Sequence, residues 1–118
     1  MIKKSEIQPE EDGIVFCYYD SAEKYAGDFL FVDNTIWDLE IFPEFRGNRY
    51  CEKMLGEFFD LTNQEKVILW VDENNHVAKH IYEKIGFQYT GISVESKEEG
   101  ETVIRQMEII SMKKGDIQ

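Results

Sequence analysis

A chain of 118 residues is enough for one domain, and with 42% hydrophobic and 14% aromatic residues it can build a core. Its formal net charge of −11 would repel a polyanion, which argues against a nucleic-acid binder, and no basic amphipathic stretch or long apolar run points to a membrane. The acidity suits a cationic amine substrate and suits plain solubility as well. Cys17 and Cys51 fit neither a disulfide framework nor a zinc ribbon, and no signal-peptide-like apolar segment follows Met1, so a reducing, cytoplasmic setting is expected.

Residues 1–13 leave room for one short strand. Residues 14–20 are rich in β-formers and predict a strand, and Ser21 to Lys24 a polar turn. A second strand covers 25–32, and Asp33-Asn34 between two apolar runs predicts a hairpin into a third, 35–42. Alternation there puts Trp37, Leu39 and Ile41 on one face and Asp38, Glu40 and Phe42 on the other. Pro43 ends the ladder. From Arg49 the period becomes helical, with Tyr50, Cys51, Met54, Leu55, Phe58, Phe59 and Leu61 as one apolar stripe.

Residues 67–71 are continuously apolar, as in a parallel strand buried on both faces. A second helix is predicted from about 75 to 85. Asn74 or Asn75 would cap it, Val77, Ala78, Ile81, Tyr82 and Ile85 would form its apolar face, and Gly86 would end it. Strands 87–95 and 101–112 follow, joined by a polar loop in which Glu98, Glu99 and Glu101 read as solvated; the tail 113–118 is expected to fray. The fold class is therefore α/β (α+β in some schemes). An antiparallel meander is followed by a right-handed β-α-β crossover, a second helix and a C-terminal hairpin. One domain over 1–118 is expected, with its core in 14–112 and flexible or peripheral ends.

The helix near Asn48 follows the C-terminal end of a strand, where open α/β sheets bind ligands and where free backbone N–H groups attract phosphate oxygens. Gly47 would let a ligand approach the backbone, and Arg46 and Arg49 would add charge. An ordinary strand-to-helix turn with Asn48 as N-cap accounts for the same residues. His76 and His80 lie four apart on one helix, but no Glu follows the first and no third ligand is evident, so they read as surface residues and no metal is expected. Cys51 at a helix start would have a lowered thiol pKa, yet no His or Asn marks it as a nucleophile, and it reads as a small packing residue.

Two segments resemble the GNAT superfamily of N-acetyltransferases. The run from Ile41 through Pro43, Arg46, Gly47 and Asn48 to Cys51 is similar to its first motif, although Arg49 stands where the central glycine is usual and Cys51 where Gly or Ala is. Asn75, Ala78, Tyr82, Gly86 and Phe87 match its second motif in register. The resemblance implies acetyl-CoA as co-substrate. The backbone at Ile41 would hold the pantetheine arm, and Arg46, Gly47, Asn48, Arg49, Tyr50 and Cys51 would hold the pyrophosphate. Asn75 would contact the cofactor or cap its helix, and Tyr82 would protonate the departing thiolate. Glu40, with Asp38 second, is the expected base for a small-molecule or peptide amine. The alternative is a non-catalytic CoA-binding or interaction module. The family usually has two helices before the meander for which residues 1–13 have no room, so the acceptor site is expected to be open or to be completed by a second subunit in a homodimer.

Overall fold

Seven strands and two helices account for most of the chain in a computed structural model that describes residues 1–5, 12–97 and 100–110. They fall into two units, Met1–Gln64 and Glu65–Gln118. Glu98, Glu99 and residues 111–118 lie outside the described residues.

In the first unit, β1 (Ile2–Lys4), β2 (Ile14–Tyr19), β3 (Tyr25–Val32) and β4 (Thr35–Ile41) pair antiparallel in chain order. The turns follow from local chemistry. Asp20 Oδ1 accepts from the N–H groups of Ala22 and Lys24, both at 2.9 Å, and fixes the β2–β3 turn. Asp33 and Asn34, with φ of 52° and 60°, form the tight hairpin turn that a right-twisted pair of strands requires. Gly27 permits close approach of β3 and β4: a Cβ there would stand 2.3 Å from the Glu40 carbonyl oxygen.

The helix α1 (Tyr50–Thr62) supplies Met54, Leu55 and Phe58, all fully buried. The Phe58 ring lies 5.0 Å from Phe16, 5.0 Å from Phe29 and 4.9 Å from Phe31, each edge-on. Such aromatic contacts contribute about 0.5–1.5 kcal/mol each beyond the area they bury. Leu61, expected on the same stripe, is 56% exposed in the last turn.

The expected alternation along β4 breaks at Asp38. Leu30 pairs with Trp37 but Asp28 with Glu40, so one extra β4 residue is inserted, and Asp38 has φ of 54°. Leu30 and Asp28 are two apart and share a face; their partners Trp37 and Glu40 therefore also share a face, contrary to the simple period. Trp37 is accordingly exposed where Ile36 is buried.

In the second unit, β5 (Lys66–Asp72), β7 (Thr102–Ile110) and β6 (Gln88–Ser96) pair antiparallel in that spatial order. Along β5, Val67, Leu69 and Val71 are buried, whereas Ile68 and Trp70 are only half-buried, so this strand is less covered on one side than its unbroken apolar run predicts. The helix α2 (His76–Ile85) follows β5.

Candidate active site

The segment from β4 to α1 is built so that its carbonyls are occupied and its amides are turned. The Phe42 N–H donates to the Ala26 carbonyl at 2.8 Å, and a single 3-10 turn, Pro43–Phe45, follows. Arg46 Nε donates back to the Ile41 carbonyl at 2.9 Å. Asn48 Nδ2 donates to the carbonyls of Phe45 at 3.0 Å and Arg46 at 3.4 Å. Asn48 therefore ties the loop together and is not the N-cap; the cap position belongs to Arg49, whose side chain makes no capping bond.

Gly47 has φ of 84° and Arg49 a left-handed φ of 58°. This change of hand on either side of Asn48 makes the sort of concave run of N–H groups that holds anions, and it sits at the positive end of a helix dipole. The space where a Gly47 Cβ would stand holds no atom within 4 Å, so a ligand can reach the backbone there. The first i→i−4 bond of this helix runs from the Lys53 N–H to the Arg49 carbonyl at 3.1 Å, which leaves the amides of Tyr50 and Cys51 ahead of the ladder. The turn can therefore hold an anion. The left-handed backbone at Arg49 is one that glycine adopts without strain.

Cys51 does not behave as a helix-start thiol. Burial, and then the Glu52 carboxylate, push its pKa up to about 11, which corrects the expected lowering and fits a packing residue. Glu40 is exposed on β4, directly across from Asp28, whose Oδ2 accepts the Tyr25 hydroxyl. That phenol also accepts from Cys17 Sγ at 3.3 Å, and burial followed by the Asp28 bond raises its pKa.

In the second unit, Asn75 caps α2, its Oδ1 accepting from the Ala78 N–H at 3.1 Å. Gly86, at φ of 124°, ends the helix, and its N–H and that of Phe87 both reach the Tyr82 carbonyl, at 3.1 and 2.9 Å. That reversal buries Phe87 and sets its ring 5.9 Å from the half-buried Tyr82 ring. The spacing of Tyr82, Gly86 and Phe87 is thus a helix-stop device that fixes the tyrosine. Val77, expected on the apolar face, is 72% exposed. His76 and His80 are exposed, as expected, and among the described residues no group of three or more His, Cys, Asp or Glu side chains is placed to hold a metal ion. No helix among them is long and apolar enough to cross a membrane.

The bulge at Asp38 departs from the plain alternation that the sequence predicts for β4. Its one signal was an Asp within a strand, a residue type that accepts left-handed backbone more readily than most.

The acetyltransferase (GNAT) family matches residues 8–87 of the chain. Among solved structures, the fold is similar to a spermidine N-acetyltransferase from Vibrio cholerae in complex with CoA and spermine. The TM-score is 0.73 at 22% identity, covering 86% of this chain and 67% of that one. A dodecameric structure of spermidine N-acetyltransferase from the same organism gives a TM-score of 0.71 at 22% identity, over 86% of this chain and 66% of that one. The chain thus spans about two thirds of the length of these structures. No curated protein sequence matches it significantly. The α/β class inferred from the sequence is the fold of these structures.

Proposed function

The chain belongs to the GNAT family of acetyltransferases, which transfer acetyl from acetyl-CoA to an amine, and from that premise we propose how its own residues divide the work. Acetyl-CoA supplies an activated thioester. The Ile41 backbone lies along the pantetheine arm, and the amides from Gly47 to Cys51, with Arg46 and Arg49 adding positive charge, hold the pyrophosphate. The observation that carries this reading is the pair of positive φ values at Gly47 and Arg49, with open space beside Gly47.

A primary ammonium loses one proton to become a nucleophile and a second once the C–N bond has formed, while the CoA thiolate gains one when the C–S bond breaks. Glu40 accepts the first, directly or through a water, and passes it to solvent. Tyr82 donates its hydroxyl proton to the thiolate and is restored by the second proton from nitrogen. The acceptor is a cationic primary amine. Asp28 and Glu40 stand as like charges directly opposite each other, a pairing that costs stability until a cation relieves it. Polyamines of the spermidine class are the first candidates, and the net charge of −11 draws them in. The two cysteines are free, which supports a reducing, cytoplasmic setting. A second copy of the chain completes the acceptor side.

CoA release measured with acetyl-CoA over a panel of diamines, polyamines and lysine peptides tests this reading. Turnover is expected with at least one cationic amine, with Tyr82→Phe lowering kcat by about 10²–10⁴-fold, the usual worth of a general acid. Glu40→Gln should lower it as well. Binding of acetyl-CoA without turnover on any amine would leave only a CoA-binding module. Sedimentation showing an active monomer would remove the second copy.

A further inference from the structure

The α2 helix carries the proposed proton donor, yet none of its residues is buried. A helix without a buried stripe is oriented less by packing than is α1, so its polar contacts add to the Phe87 ring contact in setting where Tyr82 points. Arg105 on β7, outside both motifs, stands at the centre of those contacts. Its Nη2 donates to Glu73 Oε1 at 2.6 Å. Glu73 lies between β5 and α2; its N–H donates to the Val103 carbonyl at 2.8 Å, and its own carbonyl accepts from Lys79 Nζ at 3.1 Å. The other side of Arg105 faces β6. Its guanidinium lies over the Tyr89 ring, 5.6 Å from the centroid, and the Tyr89 hydroxyl donates to Glu83 Oε1 at 3.0 Å.

The path therefore leaves α2 at Lys79, passes through Glu73, Arg105 and Tyr89, and returns to α2 at Glu83. Its two ends flank Tyr82 on the helix. A planar guanidinium can serve both arms at once, pairing with a carboxylate in its plane and stacking on a ring with its face; an ammonium cannot stack in that way.

We propose that Arg105 is a positioning residue for Tyr82, holding α2 from both sides of that tyrosine so that its hydroxyl meets the departing thiolate. The inference rests on the reading of Tyr82 as proton donor. Loss of Arg105 removes the ion pair on the Glu73 side chain and the stack on Tyr89. It loosens both arms while leaving the Lys79 bond to the Glu73 carbonyl and the Tyr89 bond to Glu83 in place. The effect is expected on kcat, with the affinity for acetyl-CoA spared.

The test is a double-mutant cycle on kcat at saturating acetyl-CoA and amine, using wild type, Arg105→Ala, Tyr82→Phe and the double variant, with Arg105→Lys alongside. Arg105→Ala is expected to lower kcat about tenfold, since displacement of a reacting group by an ångström can cost more than that. KM for acetyl-CoA should stay within about twofold, because the turn at Gly47 is untouched. Arg105→Lys keeps the charge and loses the stack, so it should fall between, about threefold below wild type. In the Tyr82→Phe background Arg105→Ala should change kcat by less than about twofold, the non-additivity of residues acting through one group. If Arg105→Ala fails to fold, as circular dichroism would show, the same cycle run with Arg105→Lys decides. Equal losses in both backgrounds, or no loss when Tyr82→Phe itself is crippled, overturn this proposal alone. Tyr82→Phe with wild-type kcat overturns the proton-donor reading and this proposal with it.

Discussion

Replacing Arg49 by glycine should stabilise the protein, although it removes a charged residue from the proposed binding turn. Arg49 sits at φ 58°, ψ 26°, where the Cβ of any L-residue crowds the following carbonyl. That conformation costs about 1–2 kcal/mol. Glycine is free of it but gives up about 0.5–1 kcal/mol through the greater freedom of its unfolded chain. The difference leaves a net gain of about 0–1.5 kcal/mol, with a middle value that raises Tm by about 2–4 °C for a chain of this size. The Arg49 side chain makes no capping bond, so little is lost with it. The affinity for acetyl-CoA should fall by no more than about fivefold, the worth of one exposed charge, because the amides of the turn remain. Thermal melts and calorimetric titrations of wild type, Arg49→Gly and Arg49→Ala separate these effects. Arg49→Ala loses the charge and keeps the strained backbone, so it should bind like Arg49→Gly without the gain in Tm. Equal Tm values for the two variants, or a destabilised Arg49→Gly, would refute the role given to backbone strain.

The Cys51 thiol, pushed up to about 11 by burial, should resist alkylation by iodoacetamide near pH 8 until the protein unfolds. Because the unfolded chain releases that proton near pH 8.5 and the folded chain holds it to about 11, stability should fall as pH rises through that window, by up to about 3 kcal/mol. Cys51→Ala should abolish that slope; an unchanged slope in urea melts would contradict the assignment. Gly27→Ala would place a Cβ 2.3 Å from the Glu40 carbonyl and 2.8 Å from Ile41 Cδ1, forcing β3 and β4 apart. A loss of about 1–3 kcal/mol is expected, and a loss under about 0.5 kcal/mol would show that the strands yield freely. Asn75→Ala removes the α2 cap and should cost about 0.5–2 kcal/mol, while Asn75→Asp should restore most of it; equal melts for the two would contradict the capping role.

What could be read from the sequence was whatever a local rule controls. Asp33-Asn34 announces its hairpin because both residues accept positive φ, and Asn75 with Gly86 brackets α2 because one caps amides and the other permits the reversal. Two kinds of feature escaped. The bulge at Asp38 escaped because a polar residue inside an alternating strand looks like an ordinary outward position; the inserted residue shows only in the pairing with β3. Leu61 and Val77 escaped because periodicity says which side of a helix they occupy, not whether anything packs on the terminal turns that hold them. Within the candidate site, the place of the turn before α1 was legible but its construction was not. The sequence reads Arg46 and Asn48 for their place beside a phosphate; their side chains also bond the loop's own carbonyls, a role that no motif announces. Arg105 was invisible for the same reason as the bulge: its ion pair with Glu73 spans 32 residues, and no short motif contains both.

The most direct test of the anion-binding turn is a titration of the 15N-labelled protein with acetyl-CoA, followed by amide chemical shifts. The account predicts saturable binding with the largest shifts at Gly47, Asn48, Arg49, Tyr50 and Cys51, because those N–H groups would meet the pyrophosphate. Binding that leaves these five amides unmoved, or no binding at millimolar acetyl-CoA, would contradict it.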